Sequence, residues 1–306
     1  IMKSQSNQTR KVHAYMIHDI YSSEQVKNTF LRTFSTLELS KTLRKFGIRK
    51  SKGIPVMEVF KFLVLLVFQG KNLYRFLDSD RGDTTYSKNT MYRLLNASTY
   101  NWRRFLLTLS NKVVASMNRL TRPERVNVLV LDDTIIPRDR SKNVKLLARV
   151  HDHTSNRYKK GFTMLTLGWS DGYSFIPTDF AMLSSRSKSN RYQETNDTID
   201  KRTNGYKRRI ESMKKKSDVA VQLIRNTLNQ GIEASYVLMD TWFTHEPLIK
   251  SCLEEGIDVI GMVKQMKQKY TYQGKTYDLK ELRTLLPKCR NGSIIGSVLV
   301  LPKQEY

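Results

Sequence analysis

Two apolar runs of the same design constrain this chain most. Val126–Leu131 reads Val-Asn-Val-Leu-Val-Leu and leads into Asp132, Asp133 and Thr134, and Ala234–Met239 leads into Asp240, Thr241 and Trp242. Each has the length of a buried strand, the first is rich in β-branched residues, and each leads into a carboxylate. Between them, Gly161–Trp169 and Tyr173–Ile176 flank the turn Ser170-Asp171-Gly172 and read as a hairpin. Asp218–Leu228 has the apolar spacing of a helix, with Gly231 beyond its end, His245–Glu255 is a second helix, and Ile257–Val263 is a further strand. The order strand, hairpin, helix, strand, helix, strand specifies a mixed α/β core over residues 123–263.

The text before Pro123 is helical. Ser22 or Ser23 caps a helix through Val26, Phe30 and Leu31. Pro55 opens another, in which Val56, Val59, Phe60, Leu63, Val64 and Val67 form a broad apolar face that Gly70 ends. Asn72–Leu77 is a short helix. Ser87 is an N-cap for a helix that turns Met91, Leu94 and Leu95 inward and Lys88, Asn89, Tyr92 and Arg93 outward. A short turn between helices with a polar, basic face is how helix-turn-helix readers are built, and it is also how a solvated bundle looks. Trp102, Phe105, Leu106 and Leu109 continue as an amphipathic helix. Residues 1–122 are thus expected to be a helical DNA-binding region, and 264–306, with Tyr270–Tyr277 and Ile294–Leu301, the start of a β-rich element.

Charge narrows the partner. Among 306 residues, 53 Lys+Arg stand against 28 Asp+Glu, a formal net charge of +25. Solubility needs far less, so a polyanion is expected, and nucleic acid before an anionic membrane. Phe62–Phe68, the most apolar run, is too short to span a bilayer. Cys252 and Cys289 are the only cysteines, too few for a disulfide framework or a four-cysteine zinc site. With a polar opening, Ile1–Arg10, they suit a reducing, cytoplasmic setting beside the nucleoid.

The carboxylates suggest the chemistry. If the two Asp-ended strands are neighbours, Asp133 and Asp240 converge at the carboxyl edge of the sheet, where sites of α/β folds lie. Adjacent carboxylates repel unless a cation neutralises them. Oxygen-only ligands favour Mg²⁺ or Mn²⁺, and a pair of such ions suits phosphodiester chemistry. Asp after a strand is also an ordinary turn former and cap, which is the plainer reading of either residue alone.

The run ending in Asp133-Thr134, the segment Lys160–Gly172 and Leu238-Met-Asp-Thr-Trp-Phe243 together resemble DDE transposases of bacterial insertion sequences, in the branch with a β-rich insertion after the second aspartate. Tyr86–Asn96 and Asn101–Phe105 resemble the helical N-terminal region of that branch. The resemblance extends from about Ser35 to the end. It implies a ribonuclease-H-like core with a five-stranded mixed sheet and a carboxylate triad holding two Mg²⁺ or Mn²⁺ ions. Asp133 matches the first aspartate, with Asp132 as the neighbouring alternative, and Asp240 matches the second. The third member is a Glu within a Tyr, Arg, Glu, Lys pattern, and here the sequence departs: Glu281 lacks the offsets, and Glu305 is followed by Tyr306 alone, too little to test them. The reading is therefore of a chain that stops inside the insertion. The implied activity is DNA strand cleavage and strand transfer at terminal inverted repeats, by a homodimer on double-stranded DNA. The alternatives are a non-catalytic DNA-binding relative that represses the element, and a ribonuclease-H-like nuclease of another kind.

Other features rank lower. Lys201, Arg202, Lys207, Arg208, Arg209, Lys214, Lys215 and Lys216 share one stretch with a single acid, Glu211, which reads either as a solvated face or as a phosphate track. His151-Asp-His153 is a weak zinc signal without a third ligand. Trp242 and Cys252 read as packing residues, and His245 lies near a helix start.

Overall fold

The β-branched run after Asn127 becomes the central strand of a six-stranded mixed sheet. The computed structural model describes residues 24–50, 52–68, 70, 72–77, 87–122, 124–153, 155–196, 198–263, 269–285 and 301–302. Strand β1 (Val128–Pro137) pairs antiparallel with β3 (Arg157–Ser170) and parallel with β5 (Tyr236–Met239). On the far side of β3 lie β2 (Ala148–Asp152) and β4 (Phe175–Leu183), each paired with a different half of that long strand. Beyond β5, β6 (Asp258–Gly261) runs parallel to it. Three antiparallel strands, β4-β3-β1, continued by two parallel ones, give the core the expected ribonuclease-H-like form. The expected five strands become six because the short β2, which carries no strong β pattern of its own, is held by the start of β3.

Alternation along the strands makes the core. Leu129 and Leu131 of β1, Leu165, Leu167 and Trp169 of β3, and Val237 and Met239 of β5 are buried in one cluster. Burial of each such side chain is worth about 1.5–3 kcal/mol. Val219, Ala220, Leu223 and Ile224 of helix α8 (Lys216–Asn229) and Leu248 and Cys252 of α9 (Glu246–Glu254) cover that face. The positive φ of Gly231 and Gly256 ends both helices in the left-handed conformation that glycine takes freely. Cys252 is wholly buried, and burial pushes its thiol up to about 11, as a core residue.

The helical N-terminal region contains α1 (Glu24–Thr36), α2 (Leu39–Lys45), α3 (Val56–Phe68), α4 (Leu73–Leu77), α5 (Lys88–Asn96) and α6 (Trp102–Leu120). Its apolar cluster joins Leu39, Leu43, Val59, Met91, Leu94 and Phe105. Helix α6 belongs to both clusters, because Leu107 and Val114 pack against the sheet. The Ser87 hydroxyl caps α5 by accepting from the Thr90 N–H. Leu95, expected inward, is exposed: its neighbours cover only the stripe through Met91 and Leu94. Ser22, Ser23, Cys289 and most of 294–301 lie outside the described residues. A separate sheet joins β7 (Tyr270–Tyr272), β8 (Lys275–Tyr277) and β9 (Leu301–Pro302). Among the described residues, no helix is long and apolar enough to cross a membrane.

Candidate active site and nucleic-acid interface

Parallel pairing of β1 with β5 ends at Leu131 opposite Met239. The next residues are Asp132, still within β1, and Asp240, just past the end of β5, beyond paired backbones about 4.8 Å apart. The sequence pattern alone stops β1 at its aspartates, yet the strand continues to Pro137 because the antiparallel ladder with β3 runs on. Asp132 and Asp133 therefore lie within a strand and point to opposite faces. Asp132 is exposed and accepts the Asp133 N–H at 2.8 Å. Asp133, half-buried, follows Leu129 and Leu131 on the core side, at the edge of helix α8. There the Lys216 ammonium donates to Asp133 Oδ2 at 2.8 Å.

Asp240 opens a turn. Its Oδ1 accepts the Trp242 N–H at 3.0 Å, and its carbonyl accepts the N–H and hydroxyl of Thr244. Trp242 is half exposed and stacks on His153, ring centroids 3.9 Å apart. His153 in turn lies 3.1 Å from His151 between Nδ1 atoms. Burial, then the charges of His151 and Lys216, hold the His153 imidazole below its ordinary pKa, against the opposite pull of Asp133 and Asp152. The β2–β3 hairpin thus ties the Asp240 turn to the surroundings of Asp133. Neither histidine's place was legible in the sequence, since β2 was not. His245 is the N-cap of α9, with Nδ1 accepting the Leu248 N–H.

The donor set can be tested against a divalent cation. Asp133 and Asp240, with Asp132 adjacent, offer hard carboxylate oxygens from neighbouring strands, which suit Mg²⁺ or Mn²⁺. Among the described residues no group of three His, Cys, Asp or Glu side chains gathers as a metal cluster. Glu281 is committed elsewhere: in α10 (Leu279–Leu285) it exchanges capping hydrogen bonds with Asp278, each at 2.8 Å. Glu305 lies outside the described residues.

The basic residues fall on several elements. Lys88, Asn89 and Arg93 are exposed on α5. Lys201 and Arg202 lie in a turn, where Arg202 pairs with Asp200. Lys207, Arg208 and Arg209 are on α7 (Asn204–Ser212), a helix hidden in the sequence by its polarity. Arg208 pairs with Glu211, and Arg209 donates to the Gly205 carbonyl. Lys214 and Lys215 are exposed before α8, and Lys216 faces Asp133. Helix α7 is anchored by Arg103 of α6, which is buried and binds both Asp179 of β4 and Glu211. Burial alone would lower the pKa of Arg103, but its two carboxylate partners more than offset that and keep it charged.

The family profile described as DDE superfamily endonuclease matches residues 64–274. No curated protein matches the chain. Among solved structures, the Drosophila P element transposase strand transfer complex matches with 10% identity and a TM-score of 0.30, over 86% of this chain and 55% of that one. This chain thus spans about half the length of that transposase.

Proposed function

Because the chain belongs to the DDE superfamily endonucleases, we propose that it is a transposase of a bacterial insertion sequence, acting on the terminal inverted repeats of its own element. The observation that carries this reading is the β1–β5 register, which ends two adjacent parallel strands at one level, with Asp132 and Asp240 next after the last paired residues and Asp133 one residue further, on the opposite face of β1 from Asp132. In this reading Asp133 and Asp240 hold two divalent ions, Mg²⁺ or Mn²⁺, with Asp132 as the alternative to Asp133. Bound there, the ions would neutralise charge that builds on the phosphate. Water cuts one strand, breaking a P–O bond as it forms another, and the freed 3′-hydroxyl then attacks target DNA in the same way. Both steps are in-line phosphoryl transfers that depend on positioning and charge neutralisation. Lys88, Asn89 and Arg93 on α5, with the basic stretch from Lys201 to Lys216, bind the DNA backbone, as a net charge of +25 favours. Two copies of the chain hold paired ends, and the protein works in the cytoplasm on nucleoid DNA.

The test is nicking of a duplex that carries the element's end. Cleavage should require Mg²⁺ or Mn²⁺ and fall at least about 100-fold in Asp133→Asn and in Asp240→Asn. Normal cleavage by either variant would remove that residue from the site. The Lys216–Asp133 ion pair favours a second reading, DNA binding without cleavage, since it neutralises Asp133 without any metal. End-specific binding with no metal-dependent nicking would establish it.

A further inference from the structure

Away from the aspartates, the first turns of two helices converge on a polar cavity of about 340 Å³. Helix α6 contributes Asn101, Arg103 and Arg104, helix α7 contributes Asn204, Lys207 and Arg208, and the end of α8 contributes Asn226 and Asn229. Neither α6 nor α7 has an acid in its first turn, and both place cations there. This opposes the usual preference, because the partial positive charge of a helix start favours anions. Two helix starts and their cations thus concentrate positive charge in one concave place.

The cavity is built rather than incidental. The Gly205 N–H donates to the Ser98 carbonyl at 2.7 Å and Asn204 Nδ2 to the Thr99 carbonyl at 2.8 Å, which holds the start of α7 against the loop before α6. A Cβ on Gly205 would stand 2.8 Å from Ser98 Cβ, so only glycine allows that seating. Among the described residues the one acid in the wall is Asp179, which is fully buried and neutralised by Arg103, with Asn226 donating to its other oxygen. Arg103 is itself buried, and among the described residues its Nη2 has no hydrogen-bond partner, a rare state for a buried donor. Arg208 is paired with Glu211. Among the described residues, the side chains of Arg104 and Lys207 make no ion pair or hydrogen bond, and both are exposed at the rim.

We infer that this cavity is a phosphate-binding site that takes one backbone phosphate of the bound DNA, with Arg104 and Lys207 as its charged groups. The inference rests on the reading that the chain acts on DNA. Asn226 lies ten residues along α8 from Lys216, about 15 Å at 1.5 Å per residue. That is the rise of about four base pairs, so a duplex that runs along α8 with its scissile phosphate at Asp133 would reach the cavity within half a turn. The site is an anchor that fixes the duplex at a set distance from the aspartates.

The experiment is salt-dependent binding of the full chain to a fluorescein-labelled duplex, read by anisotropy. Three proteins are compared with wild type: Arg104→Gln/Lys207→Gln, Asn229→Trp, which fills the cavity and leaves every charge in place, and Asn229→Ala, which opens it. The slope of log K against log salt should fall by about 0.9 for each phosphate that the protein no longer neutralises, in the double variant and in Asn229→Trp alike. Asn229→Ala should keep the wild-type slope. A wild-type slope in Asn229→Trp overturns the site, whatever the double variant does, because the two cations then act only through the surface field. Free phosphate is the other source of the same chemistry. If potassium phosphate raises the Tm over chloride at equal ionic strength, Asn229→Trp abolishes that rise, and the DNA slopes do not move, the cavity binds free phosphate and the DNA anchor is overturned. Loss of cleavage in Asp133→Asn at unchanged DNA affinity keeps the nuclease reading separate from this one.

Discussion

Gly161 faces Pro137 across the β1–β3 ladder, and a Cβ built on it would stand 2.3 Å from the carbonyl oxygen of Ile136. That oxygen belongs to backbone held by the ladder, so it has no rotamer by which to step aside. Overpacking of this kind costs about 1–3 kcal/mol. Gly161→Ala is expected to lower the urea midpoint accordingly at an unchanged slope, and an unchanged midpoint would show that this end of β1 yields freely. In the sequence Gly161 marks only the start of an apolar strand, because the atom it must avoid is 25 positions away. The same limit hides the Lys216–Asp133 ion pair: 83 residues separate its partners, and no local pattern links them. Ser87 is the contrary case. Its capping bond spans three residues, so the chemistry of the cap is written in adjacent letters.

Among the elements, those whose own residues fill the core were legible, and those held by others were not. Helix α8 and strands β1, β3 and β5 carry buried apolar residues at the period of their type, and their positions follow from it. Strand β2 owes its place to pairing with β3. Helix α7 has one buried residue, Ser212, and is attached through ion pairs. Arg103 is the joint, reaching from α6 to Asp179 in β4 and to Glu211 in α7. Removing one partner from such a buried group strands a charge, at about 3–5 kcal/mol. Replacing the group by apolar residues of similar size is near neutral or stabilising. Arg103→Met alone should therefore destabilise strongly, and Arg103→Met/Asp179→Leu/Glu211→Met should recover most of that loss in chemical denaturation. If the triple variant is no better than the single one, the network is needed to seat α7 and not only to neutralise itself.

Across the whole molecule, the net charge of +25 makes each added proton unfavourable, and His245 is placed to feel it. The sequence located this histidine near a helix start, but its part as a cap needs the turn at Asp240 that only the assembled sheet supplies. Its Nδ1 accepts the Leu248 N–H, which requires the neutral ring. Protonation would remove the acceptor and set a cation at the start of α9, against the helix dipole. Burial, and then the charge of Lys215, already hold the imidazole below its ordinary value of 6.5. Between the folded and unfolded pKa values the unfolded chain therefore binds more protons, and stability rises with pH. The contribution is complete above about pH 6.5 and is lost as pH falls through the lower folded value. His153, lowered as well, acts in the same direction. Asn caps a helix without titrating, so His245→Asn should match wild type near neutrality and lose less Tm than wild type on going to about pH 5. Parallel pH curves for the two proteins would show that the cap stays formed when the ring is charged, and that the acid sensitivity of this chain lies elsewhere.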